Sequence, residues 1–429
     1  MGISRLKKNR FLEQISKVFT GNDTIKTSNQ YVDDASRDAF GNLRTSEAKT
    51  LFDTQFQYST FEGTEWGKKT SGTTTLTHLP DESSVELKVG TDDGDTFIWQ
   101  SKRYIRYQPG KSQKIMMSSV FGESKAGVIK RKGYFDAENG IFFEQNSDTV
   151  YMVIRSKTSG SVVENRVEQS KWNYDRMDGT GHSGVNLDSS KAQIFFIDLE
   201  WLSVGRVRVG FVIDGVVRYV HRFNHANNLT GPYMSTANLP IRYEISNISD
   251  TSSETSIKAI CCSVQSESGF IETRYFPNAI SSGTTPVAVT NRRPVLSIRP
   301  KANFMGQVNR GDINPLNTIL TASSQDCFVE VVLGGTLSGG DGVWDSVNDD
   351  SIVEYNIDSL AITGGKVIES FYVITGQGAT KGTSDFTVNT RVPITLDIDG
   401  LNPINLSIVV TSLSGTAGVF SVINWREIY

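Results

Sequence analysis

At 429 residues, with 38% hydrophobic and 21% charged side chains, the chain is long enough for two or three domains with proper cores and reads as globular throughout. A net charge of −4 and a pI near 5.7 exclude the global basic field of a dedicated nucleic-acid binder. Three cysteines, Cys261 and Cys262 adjacent and Cys327 distant, exclude a disulfide framework and a paired C-x-x-C zinc site.

The N-terminus is basic from Met1 to Lys8 but no long apolar run follows, so neither a secretory signal nor a membrane span is expected. Residues Arg10 to Phe19 place Phe11, Leu12, Ile15, Val18 and Phe19 at helical spacing, and Gly21-Asn22-Asp23 supplies a stop. This predicts a short amphipathic helix within an anchor over residues 1–29. Its cations Arg5, Lys7 and Lys8, with the apolar residues Phe11, Ile15 and Phe19, suit docking to an acidic groove on a partner.

From residue 30 to residue 277 short strands follow one another with turn residues between them, and no helix-period run intervenes. Arg206 to Ile213 alternates as a strand, Asp214-Gly215 supplies a type I′ turn, and Val216 to Phe223 returns. A two-residue loop sets Phe211 opposite Arg218, which demands a slipped pairing or mixed sheet faces. The stretch Trp172 to Leu187, with Gly179, Gly181 and Gly184, breaks the rhythm as a long loop. Residues 278–300, which carry Pro286 and Pro294, read as a linker or an extended crossing strand. The strands of residues 301–429 predict a smaller sandwich. The expected fold is therefore all-β: two β-sandwich or jelly-roll-like domains, the first of them lectin-like, behind a short helix.

Four constellations bear on chemistry. Gly179 to Gly184 spells G-x-G-x-x-G, but no strand precedes it and no helix follows, so a flexible loop is expected in place of a dinucleotide site. Phe196-Ile197-Asp198-Leu199-Glu200 resembles the E-x-D-x-E signature of β-sandwich glycoside hydrolases, with Phe196 where the nucleophilic glutamate stands. Asp198 and Glu200 remain candidates for glycan contact, as do Tyr174, Asp178 and His182 on the long loop. Carboxylates on a solvated strand face are the plainer reading. His221 and His225, spaced i, i+4, would stand together on a helix but are not brought together in a strand and turn, no Ser-His-Asp set is assignable, and no cofactor or metal is expected. The run from Ser101 to Lys132 is strongly basic; Lys102, Arg103 and Arg106 are its candidates for docking a neighbour, against lysine protection of strand edges.

Five blocks carry a family resemblance: Asp38 to Glu47, Leu51 to Gln55, Tyr107 to Gln113, Val204 to Phe211 and Asn424 to Ile428. The chain resembles a group of virion structural proteins of tailed bacteriophages. The resemblance implies a non-enzymatic particle component, made in the host cytoplasm and placed in the tail or baseplate as a fibre adaptor or host-contacting element. Its partners would be other virion proteins, further copies of itself in a symmetric particle, and a host surface glycan. Membrane and nucleic acid are not expected as partners. The alternatives are a capsid decoration protein and a glycan-binding or polysaccharide-degrading appendage.

Overall fold

The computed structural model describes residues 36–269, 276–375, 382–387 and 394–429. The predicted anchor helix and Arg5, Lys7, Lys8, Phe11, Ile15 and Phe19 lie outside the described residues. Within them the chain is all-β, and helix is confined to the single turns Pro80–Glu82 and Gln169–Lys171. No described helix is long and apolar enough to cross a membrane.

The first sandwich contains β1 (Lys49–Gln55), β2 (Trp66–Ser71), β3 (Thr74–Leu79), β4 (Ser84–Val89), β5 (Thr96–Ser101), β6 (Gln113–Val120), β7 (Val128–Phe135) and β8 (Gly140–Asn146). It continues with β9 (Thr149–Ser156), β10 (Val163–Glu168), β11 (Ala192–Leu199), β12 (Val207–Ile213), β13 (Val216–Phe223), β14 (Ile241–Asn247) and β15 (Thr255–Ser266). One antiparallel sheet runs β13-β12-β11-β6-β15-β4-β3 with β1 also on β15; the other runs β10-β9-β8-β7-β14-β5-β2. Strand alternation builds the core between them. Along β6, Ile115 and Met117 turn inward, and along β11 Phe195, Ile197 and Leu199 do the same. Trp66 stacks on Trp99 with ring centroids 5.6 Å apart.

Alternation also draws charge inside. On β7, Lys130 and Lys132 share a face with Val128 and Tyr134, so two lysines of the basic stretch lie in the interior and not on a surface. Lys132 Nζ lies 5.0 Å from the Phe121 ring centroid, 5.8 Å from that of Phe143 and 5.9 Å from that of Phe195. Lys130 donates to the Phe121 carbonyl. Arg131 faces the other way, between Glu144 and Glu244.

The Asp214-Gly215 turn has φ of 51° and 76°, and Phe211 does pair with Arg218. The conflict is resolved by a bulge between Val209 and Gly210, which brings Val209 opposite His221 and restores the inward phase. Gly210 permits it, because a Cβ there would stand 2.1 Å from the Arg218 carbonyl oxygen.

The segment expected as a linker supplies strands of the second sandwich: β16 (Phe276–Ser281), β17 (Val287–Val289) and β18 (Arg293–Pro300). Both β16 and β17 pair with the strand Ala417–Ile428, and β18 lies between Val353–Asn356 and Leu406–Ser412. Pro277 is tolerated on the edge strand β16, Pro286 stands outside the ladder before β17, and Pro294 lies beside a bulge. Trp425 anchors the second core. Its indole N–H donates to Glu427 Oε1 at 2.6 Å, an oxygen that also accepts from Ser351 Oγ at 2.6 Å.

Candidate cleft beside Glu200

The outward face of β11 carries Phe196 and Asp198, and Glu200 follows at its end. Asp198 is fully buried and accepts from four side chains. Ser112 Oγ donates to Oδ1 at 2.8 Å; Arg44 Nη2 at 2.7 Å, the Tyr219 hydroxyl at 3.1 Å and Arg208 Nη2 converge on Oδ2. Arg44 then forks onto Glu267, with Nε to Oε1 at 2.6 Å and Nη2 to Oε2 at 3.3 Å. A carboxylate so saturated is an anchor. Asp198 is thus corrected from glycan contact to internal support, and the solvated-face reading fails for it as well. Phe196 packs edge-on against Tyr219 at 5.8 Å, so a phenyl ring stands where E-x-D-x-E chemistry needs its nucleophile.

What covers this face is the loop Ser36 to Arg44. Its sequence dictates a tight turn: the Asp38 carboxylate accepts from the Asn42 backbone N–H at 2.8 Å, Gly41 takes φ of 85°, and Arg37 bridges Leu43. The sheet grips the loop through its main chain. Arg206 donates from Nε and Nη2 to the Ala39 carbonyl at 3.1 and 2.7 Å, Arg208 to the Arg37 carbonyl at 2.7 Å, and Ala39 N–H donates to Ser112 Oγ at 3.2 Å.

Between loop and sheet opens a cleft of ≈ 480 Å³ lined by Arg37, Ala39, Phe40, Gly41, Asn42, Glu200 and Arg206. Glu200 Oε1 accepts from Arg206 N–H at 2.8 Å, and the Glu200 carbonyl accepts from the Tyr233 hydroxyl at 3.1 Å. Burial raises the Glu200 pKa above the usual carboxylate range, and the negative charges of Asp38 and Asp198 add to the shift. Gly205 makes room, since a Cβ there would lie 2.5 Å from Glu200 Cγ. Behind the cleft Tyr107 meets Trp201 edge-on at 6.1 Å and His225 stacks on Tyr233 at 4.0 Å. Burial holds both His221 and His225 below the ordinary histidine pKa. No group of metal-ligating side chains assembles among the described residues.

Of the sequence-predicted site residues, only Glu200 lines this cleft. The long loop is pinned along the free edge of β13: Tyr174 and Asp175 N–H donate to the Val220 carbonyl at 3.0 and 3.3 Å, and Trp172 and Met177 turn into the core. The Tyr174 ring lies 5.0 Å from the Arg222 guanidinium. Asp178 and His182 are exposed at its tip. The G-x-G-x-x-G stretch wraps the Asp175 carboxylate, which accepts from Ser183 N–H at 2.9 Å and lies 3.5 Å from His182 Nδ1. A negative charge at its centre repels phosphate. Lys102, Arg103 and Arg106 face the chain's own second sandwich, lining the crevices between the domains with Arg310, Asp312 and Ile428. There the Arg310 guanidinium lies 4.3 Å from the Tyr104 ring, and Lys69 pairs with Asp399 at 2.5 Å.

Phe40, Asn42, Arg206 and Arg37 are among the cleft residues that chemistry-led reading missed. A signal for three of them was present. The blocks Asp38 to Glu47, Tyr107 to Gln113 and Val204 to Phe211, which carry the resemblance, meet here through Ala39, Ser112, Arg206 and Arg208.

No protein-family model matches the chain, and no curated protein matches it by sequence. Similar solved structures include a Bacteroides ovatus GH16 enzyme of a mixed-linkage glucan utilisation locus, in complex with a G4G4G3G product (12% identity, 50% of this chain and 99% of that one, TM-score 0.34). A Mycobacterium marinum β-1,3-glucanase matches at 12% identity over 51% of this chain and 100% of its own, TM-score 0.34. A protein of unknown function from Shewanella oneidensis MR-1 matches at 10% identity over 53% and 91%, TM-score 0.35. The expectation of a non-enzymatic, tail-associated virion component is corrected on these findings: of the three structures above, the two named with a function are a GH16 protein and a β-1,3-glucanase. The alternative, a glycan-binding or polysaccharide-degrading protein, is carried forward on this chain's own residues.

Proposed function

We propose that this protein binds a glycan in the cleft beside Glu200. The observation that carries the reading is the composition of one concave surface: its lining combines the apolar Phe40 with the polar Arg37, Asn42, Glu200 and Arg206. Sugars present apolar C–H faces edged by hydroxyls, and such a mixture matches both. Glu200, with its pKa raised, serves as acceptor when ionised and as donor when protonated.

A second reading, cleavage of the bound glycan, is favoured by the same raised pKa, which suits a carboxyl that protonates a leaving oxygen. A nucleophile on β11 is not part of it, since Phe196 and the saturated Asp198 cannot act as one. Calorimetric titration of the purified chain with polysaccharides and oligosaccharides, alongside an assay for released reducing ends, tests both. Binding that Phe40→Ala weakens about tenfold, or about 1.4 kcal/mol, supports the cleft; absence of any binding refutes it.

A further inference from the structure

The loop that supplies five of the seven cleft residues is fastened in two different ways. Its first half is held through the Arg37 and Ala39 carbonyls, which many sequences would provide. Its far end is held by the Arg44 side chain, whose guanidinium reaches Asp198 on β11 and Glu267 just beyond β15. Arg44 itself does not line the cleft.

We infer that Arg44 is the positioning residue of the cleft: it latches the Phe40 wall against the sheet without touching the ligand. This rests on the glycan reading above. The latch spans two strands that are not neighbours, because β6 runs between β11 and β15. A planar fork can pair with carboxylates on both at once, and an ammonium cannot reproduce that geometry. The sheet has other support without it. Asp198 keeps Arg208, Ser112 and Tyr219, and Glu267 keeps Lys114 at 3.8 Å. Loosening the loop therefore separates from unfolding the sandwich.

The test compares the full-length wild type with Arg44→Lys, with the double variant Arg44→Met/Glu267→Gln, which removes both partners of that ion pair and with them the 3.8 Å pairing of Lys114, and with Phe40→Ala. Glycan affinity is read by calorimetry and loop order by amide exchange at Asp38 and Arg44, whose N–H groups donate to the Asn42 and Ser36 carbonyls at 2.9 and 2.8 Å. The double variant is expected to lose at least about tenfold in affinity and to exchange those amides at least about tenfold faster, with Arg44→Lys between it and wild type. Wild-type affinity in the double variant, or unchanged exchange, overturns the latch. If Phe40→Ala loses binding while the double variant keeps it, only the role of Arg44 falls; if Phe40→Ala binds as wild type, the cleft reading falls with it. Should the double variant fail to fold, Arg44→Lys decides alone, and wild-type affinity and exchange there overturn the latch.

Discussion

Lys132 Nζ donates to Ser119 Oγ at 2.8 Å, joining β7 of one sheet to β6 of the other through the middle of the first core. Burial pushes its pKa down to about 7. The unfolded chain, with a lysine pKa of about 10.4, binds the proton more tightly than the folded one. Stability is therefore expected to rise with pH from about 7 to about 10 as this one site titrates. Lys132→Met is expected to stabilise the protein by about 1–3 kcal/mol near neutral pH and to flatten that rise. Urea unfolding across the range checks both.

Asp198→Asn tests the anchor. The variant removes the negative charge that faces the fully buried Arg208, so a loss of about 3–5 kcal/mol is expected. Denaturant midpoints measure it. A change in binding with the midpoint unmoved would instead return Asp198 to the ligand.

Gly205→Ala is expected to cost about 1–3 kcal/mol and to weaken glycan binding together, because the added methyl would drive against Glu200. Thermal unfolding and calorimetry on one preparation report the two effects.

Glu200→Gln imitates the protonated carboxyl. The folded pKa stands above its ordinary value, so the proton is bound more tightly in the native protein and wild-type stability gains as pH falls through it. The variant is expected to match or exceed wild type at neutral pH, with the gap closing on acidification. If protonated Glu200 donates to the ligand, wild-type affinity rises on acidification as well, while that of Glu200→Gln stays level. Parallel titrations over pH compare them.

Much of the fold was legible because strand alternation and turn chemistry are local. The Asp214-Gly215 hairpin and the succession of short strands are written within a few residues of each other. The cleft was not, because Ser112, Asp198 and Arg206 come together with Arg37 and Ala39 only after β6, β11 and β12 pair. The basic stretch misled for a related reason: a charge run read along the chain says nothing of which alternate residues turn inward, and Lys130 and Lys132 do. The linker reading weighed Pro286 and Pro294 but not their surroundings: Pro286 stands just before β17, outside the ladder, and Pro294 beside a bulge.

The strand Ala417–Ile428 pairs with β16 and β17 on one side and with Asp312–Ala322 on the other. During synthesis the second sandwich must therefore wait for residues near 428 to leave the ribosome before its middle closes, whereas the sheets of the first take no strand from beyond β15. Pairing partners more than a hundred residues apart make that closure slow. Nascent second halves would spend the interval with the edge of β16 unpaired, and that is where chaperones would be expected to engage.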